Sequence, residues 1–139
     1  MDTSNPVIAL CVTGSRAELE GRRGDAYALY ARAWDAAQND YEACIAAHYV
    51  ARSATSPQEI LRWNREALVR AEAVGDERVQ PFYPSLYLNL GRSHEILGEQ
   101  AEAERYYALA AGLGVVHQAD REKREFCSGG LIDRTESQE

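Results

Sequence analysis

Residues 90–110 read Leu90-Gly91-Arg92-Ser93-His94-Glu95-Ile96-Leu97-Gly98-Glu99-Gln100-Ala101-Glu102-Ala103-Glu104-Arg105-Tyr106-Tyr107-Ala108-Leu109-Ala110. Their alternation of large and small side chains decides the fold. Gly91 removes the side chain that would hold a neighbouring helix away, Gly98 supplies a stop, and Ala103, Tyr107 and Ala110 fall on one stripe of the helix that follows. The expectation is an antiparallel helix pair packed at close range. The pattern recurs: Ala26, Tyr30 and Ala33 align with Ile60, Asn64 and Ala67 at an offset of 34 residues, and these align with Ala103, Tyr107 and Ala110 at an offset of 43.

Working outward, Asn5-Pro6 opens a first helix over about 6–20, because Asn accepts from a free amide and Pro at the first helical position loses nothing. Leu10, Gly14 and Ala17 mark its packing stripe, and Gly21 stops it. Ala26, Leu29, Tyr30, Ala33 and Trp34 carry a second helix to about 38–39, and Asp40 is expected to cap a third bearing Cys44, Ala47, His48 and Ala51. Ser56-Pro57-Gln58-Glu59 has the form of a capping box and starts a fourth helix with Ile60, Trp63, Ala67 and Ala71, ended by Gly75. The extra nine residues between the second and third units surround Pro81 and Pro84. They are read as a lengthening of the fourth and fifth helices, with Pro84 in the first turns of the fifth. A sixth helix is expected over about 100–112, and an apolar-faced capping helix over 118–134 covers the end of the stack, leaving 135–139 frayed.

The chain has 139 residues, the size of one domain, and a formal net charge of −7. That charge argues against phosphate backbones and anionic membranes, since no basic patch is segregated along the chain. Three widely spaced cysteines, Cys11, Cys44 and Cys127, make no disulfide framework and point to a reducing, cytoplasmic setting. Val7 to Cys11 lacks the basic flank and the length of a signal segment, and no apolar run reaches the ~18 residues of a membrane span.

Over residues 6–114 these spacings resemble the tetratricopeptide repeat, whose unit is about 34 residues long. The resemblance implies an all-α solenoid of three antiparallel helix pairs in one domain over 1–134, with units 6–38, 40–75 and 79–114. The third unit is the most faithful, with His94 where an aromatic ring is usual. In the second, His48 takes the place held by Gly14 and Gly91, and Ala47 that of Leu90. The resemblance further implies a right-handed superhelix whose concave face is lined by the first helix of each pair. That face would hold Ile8, Cys11, Ser15, Glu42, Ile45, Tyr49, Arg52, Ser85, Leu88, Asn89, Arg92 and Glu95. Arg52 and Arg92 would grip a carboxylate there, unless they pair with Glu42 and Glu95 on a solvated face. Relatives that clamp the C-terminal carboxylate of chaperones use Lys and Asn; here Cys11, Ser15 and Ala46 stand at those places and only Asn89 agrees.

Cys44 and His48, four apart on one helix, with His94 from another pair, have ligand character, but all three fall on the core stripe, where packing explains them. Tyr49 and Tyr83 are the aromatic residues placed to anchor a peptide. Gly21-Arg22-Arg23-Gly24 lacks the strand and the Lys-Ser/Thr of a nucleotide loop. Asp35 and Asp40, or Glu99 and Glu102, sit on solvated helix ends and are assigned no catalysis. The resulting expectation is a non-catalytic interaction module, needing no cofactor or metal. It would bind an unidentified protein or peptide through Glu42, Ile45, Tyr49, Arg52, Ser85, Leu88, Asn89, Arg92 and Glu95. One alternative is self-association into a homodimer through exposed Val7 and Ile8 or Leu131 and Ile132. A weaker one is a small enzyme or ligand-binding protein using Cys44, His48 and His94.

Overall fold

The computed structural model describes residues 2–114, all of whose regular structure is helical: α1 (Pro6–Leu19), α2 (Arg23–Ala36), α3 (Asp40–Ser53), α4 (Pro57–Val74), a 3-10 turn (Gln80–Phe82), α5 (Tyr83–Ile96) and α6 (Gln100–Gly112). The capping helix expected over 118–134 and the tail after it lie outside the described residues. The chain forms two compact units, Met1–Val74 and Gly75–Glu139. In the first, α1 packs on α2 and α3 on α4, and α3 lies against α2 with a lighter contact to α1. In the second, α5 packs on α6.

Each helix starts and stops for a local reason. The Asn5 carboxamide oxygen accepts from the Val7 and Ile8 amides at 2.8 and 3.2 Å, with Pro6 at the first helical position. Asn39, not Asp40, caps α3: its oxygen accepts from the Glu42 amide at 2.8 Å while its own backbone is extended. Asp40 is the first helical residue, where its carboxylate complements the helix dipole instead of capping it. Ser56 Oγ accepts from the Glu59 amide at 3.2 Å and opens α4. α1 and α5 close identically. Gly21 and Gly98 take φ of 81° and 78°, and the next amide returns to a carbonyl five residues back, Arg22 to Ala17 at 2.9 Å and Glu99 to His94 at 2.8 Å. Only glycine enters that left-handed region without penalty.

The extra residues between units are partitioned differently from the expectation. α4 is long, at 18 residues, but α5 has the same 14 as α1 and α3. Gly75, at φ 67°, ends α4, and the remainder winds into the 3-10 turn with Pro81 inside it. Val79 and Phe82 bury their side chains there, which anchors the turn. Pro84 does fall in the first turn of α5.

The close approach read from the glycines is present in both units. A Cβ built on Gly14 would lie 2.4 Å from Tyr30 Cε1, and one on Gly91 would lie 2.5 Å from Tyr107 Cε1. Each ring covers its glycine, and each phenol donates to the carboxylate one turn further along: Tyr30 to Glu18 at 2.7 Å and Tyr107 to Glu95 at 2.6 Å. The α3–α4 pair carries a different set at the matching positions, with His48 for the glycine, Asn64 for the tyrosine and Arg52 for the glutamate. His48 and Asn64 are both buried. Bulk has moved from the second helix to the first, and the carboxylate has become a cation. Arg52 therefore reaches Glu18 of α1 at 3.4 Å, rather than Glu42, which lies on its own helix about 15 Å away along the axis. Tyr30, Glu18, Arg52 and Tyr49 close a ring of contacts across α1, α2 and α3. The Arg52 guanidinium stands 5.5 Å from the Tyr49 ring, and the Tyr49 and Tyr30 rings are 5.3 Å apart.

Gly14→Ala should lower stability by roughly 1–3 kcal/mol, because a methyl group forced under a buried ring outweighs the helix propensity it adds. Gly24→Ala, where a Cβ meets nothing within 4 Å, should be neutral or stabilising. Parallel denaturant melts of the two variants check this, and equal effects would remove the close-approach argument.

Candidate functional site

At the corner where α2 gives way to α3, three residues run without helical structure. Ala37 is extended at φ −65° and ψ 133°, and Asn39 at φ −154° and ψ 172°. The step between helices leaves a hollow of about 560 Å³ whose wall includes Trp34, Asp35, Gln38, Asn39, Asp40 and Arg70. Trp34 comes from the last turn of α2 and is half-buried because its indole lies edge-on against Trp63 of α4, centroids 5.0 Å apart. Arg70, two turns further along α4, lays its guanidinium 5.2 Å from the centre of the Trp34 ring. There it donates to Glu66 at 2.8 Å and to Asp40 at 3.1 Å. Glu66 and, after it, Asp40 hold the Arg70 pKa above its ordinary value. Asp35 and Gln38, both exposed, also line the hollow, and the Gln38 backbone N–H donates to Glu42 at 3.0 Å. Together with the Asn5 carboxamide, that bond keeps the Glu42 carboxyl below its usual pKa.

The residues that the repeat reading places on a groove wall are distributed unevenly. In the first unit, Ile45 and Tyr49 are buried, as are Ile8, Cys11 and Ser15. Glu42 spends its oxygens on Asn5 and Gln38, and Arg52 bridges to Glu18. In the second unit, Ser85 and Leu88 are buried, Asn89 and Arg92 are half-buried, and exposed Glu95 accepts from Tyr107. The Tyr83 ring lies tilted against Tyr87, centroids 5.6 Å apart. The Trp34 hollow is not among the sites expected from the sequence, where Trp34 counts only toward the spacing of the second helix. Its signal was a tryptophan followed by Asp35 at the end of a helix whose last turn holds no basic residue.

The Cys/His set belongs to the interior. Burial pushes the Cys11 and Cys44 thiols up to about 12, so both stay protonated and unreactive at neutral pH. His48 is 1% exposed, neither ring nitrogen has a hydrogen-bond partner, and its ring stands edge-on to Tyr49 at 5.0 Å. Burial first and Arg52 second bring its pKa down to about 3. His94 of the second unit is held otherwise, with Nδ1 2.7 Å from Glu99 and the ring stacked on Tyr106. Among the described residues, no group of three His, Cys, Asp or Glu side chains is placed to hold a metal ion, and no helix is long and apolar enough to cross a membrane. Compared with known protein families, curated proteins and solved structures, the chain has no significant match.

His48 binds its proton more weakly folded than unfolded, so its contribution is fully present above pH 6.5 and is lost as pH falls from 6.5 toward 3. The loss should reach about 1 kcal/mol by pH 5.5. His48→Leu, which keeps an apolar filler of similar bulk, should remove this slope relative to the parent chain when both are melted in urea between pH 7 and 5. Parallel slopes in the two proteins would show that the imidazole is not held neutral.

Proposed function

We propose that the chain is a non-catalytic interaction module that holds a segment of another protein against the α2–α3 corner of its first unit. The observation that carries this reading is the Trp34 hollow. Its volume of about 560 Å³ belongs to an open recess with a mainly polar wall, room for a partner's side chain at the surface rather than an enclosed ligand cavity. Carboxylate, carboxamide and guanidinium groups around a half-buried indole supply orienting polar contacts for such a side chain. The extended backbone from 37 to 39 adds polar groups at its lip. The helix-pair architecture fits the same role. Tyr30, Glu18, Tyr107 and Glu95 are engaged in holding pairs together, so specificity falls to residues that those contacts leave over. In this reading the binding surface lies at the corner, and the polar residues of α3 and α5 chiefly brace their own units.

Self-association was a rival on the strength of exposed apolar residues at the start of the stack. Val7 and Ile8 are buried at 1% and 3% exposure, in a helix that packs on α2 and touches α3. Leu131 and Ile132 lie outside the described residues. Leu19, Val69 and Ile96 are exposed apolar residues on other surfaces, and the oligomeric state of the full chain, read by light scattering, tests whether they meet a second copy.

The test is selection of linear peptides displayed on phage against the immobilised full chain, followed by affinity measurement on retained sequences. Combined Asp35→Ala and Gln38→Ala, both at exposed positions, should weaken binding at least fivefold without changing the melting temperature. If that variant binds normally while Arg52→Ala with Arg92→Ala does not, the α3 and α5 faces are the site. If no peptide is retained, the module reading falls.

A further inference from the structure

The charges around the hollow do not balance. Arg70 is its one basic wall group, and that guanidinium is already shared between Glu66 and Asp40. Asp35 forms no ion pair among the described residues. It stands in the last turn of α2, where the helix dipole already concentrates negative charge and where no Lys, Arg or His compensates it. The positive start of α3, on the other side of the corner, is met by Asn39, Asp40 and Glu42. What remains unpaired in the wall is the Asp35 carboxylate at the negative end of α2, beside an indole that Arg70 overlies, in a chain of net charge −7.

We propose that this hollow receives the guanidinium of an arginine from an extended basic segment of the partner, a deepening that rests on the peptide-binding reading above. The wall already displays the recognition in miniature. Arg70 lies over the Trp34 ring with its N–H groups on two carboxylates, the arrangement that a planar, weakly hydrated guanidinium favours. A second guanidinium at the rim would find Asp35 as a fork partner and the Gln38 carboxamide oxygen as a further acceptor, with the Trp34 indole beside them in the same wall. A phosphate or carboxylate ligand would instead meet Asp35, Asp40 and the negative end of α2, with Arg70 already committed. An apolar side chain would leave the Asp35 carboxylate partly desolvated and unpaired.

The experiment titrates the isotopically labelled full chain with three capped tripeptides, Gly-Arg-Gly, Gly-Glu-Gly and Gly-Ala-Gly, following the Trp34 indole resonance. The arginine peptide should give a saturable shift in the millimolar range, the other two none. Asp35→Asn should weaken it about tenfold, as expected for loss of a charge-assisted pair, with an unchanged melting curve. Saturation by the glutamate or alanine peptide, a shift that never saturates, or an Asp35→Asn variant that binds like the parent would each overturn the assignment. The displayed peptides separate the two levels of argument. Retained sequences without a basic residue sink the arginine assignment and leave the module standing, and an empty selection sinks both.

Discussion

The structure depends on a phenol ring laid directly over a glycine. Where Tyr30 covers Gly14 and Tyr107 covers Gly91, the two helices of a pair approach until ring meets backbone, and no other residue at the small position preserves that distance. The phenol then reaches past the glycine to a carboxylate one turn on, so one side chain fixes separation, rotation and axial register together. Dispersion over the ring face supplies the attraction, and the hydrogen bond to an ionised acceptor fixes the direction. In both of these pairs the contact sits one to two turns before a C-cap that a left-handed glycine closes.

The α3–α4 pair shows what happens when this contact is rebuilt. Placing the bulk on the first helix as His48 buries an imidazole whose two nitrogens have no hydrogen-bond partner, a cost that glycine at the matching positions 14 and 91 avoids. Turning the glutamate position into Arg52 converts a contact inside one pair into a bridge to the neighbouring pair, through Glu18. Glu18 thus serves Tyr30 and Arg52 at once, and the second hairpin is tied to the first by a charge reversal at one repeat position. The pair is less comfortable within itself and better connected within the first unit.

Much of the fold was legible because it is encoded locally. Helix boundaries followed from Asn5, Gly21, Ser56, Gly75 and Gly98, and the close approaches from Gly14 and Gly91, since each is a one-residue requirement of backbone or sterics. The cap of α3 was misplaced by one residue because Asn39 and Asp40 are both good caps, and only the extended backbone at Asn39 distinguishes them. The 3-10 turn was missed because a proline pair is compatible with either a long helix or a tight turn, and the burial of Val79 and Phe82 decides between them. The candidate site was least legible. Repeat spacing tells which residues share a stripe, but the Trp34 hollow arises from a corner between helices and from Arg70 reaching across from a third, neither of which is periodic.

The exchange of bulk at His48 and Asn64 constrains how this chain can change over generations. A tyrosine arriving at position 64 by itself would drive a ring into an imidazole where Tyr30 meets only a glycine. A glycine arriving at position 48 by itself would leave a void beside Asn64. Each single step is expected to cost stability that the double change would recover, so positions 48 and 64 are coupled: what either one tolerates is set by the residue at the other.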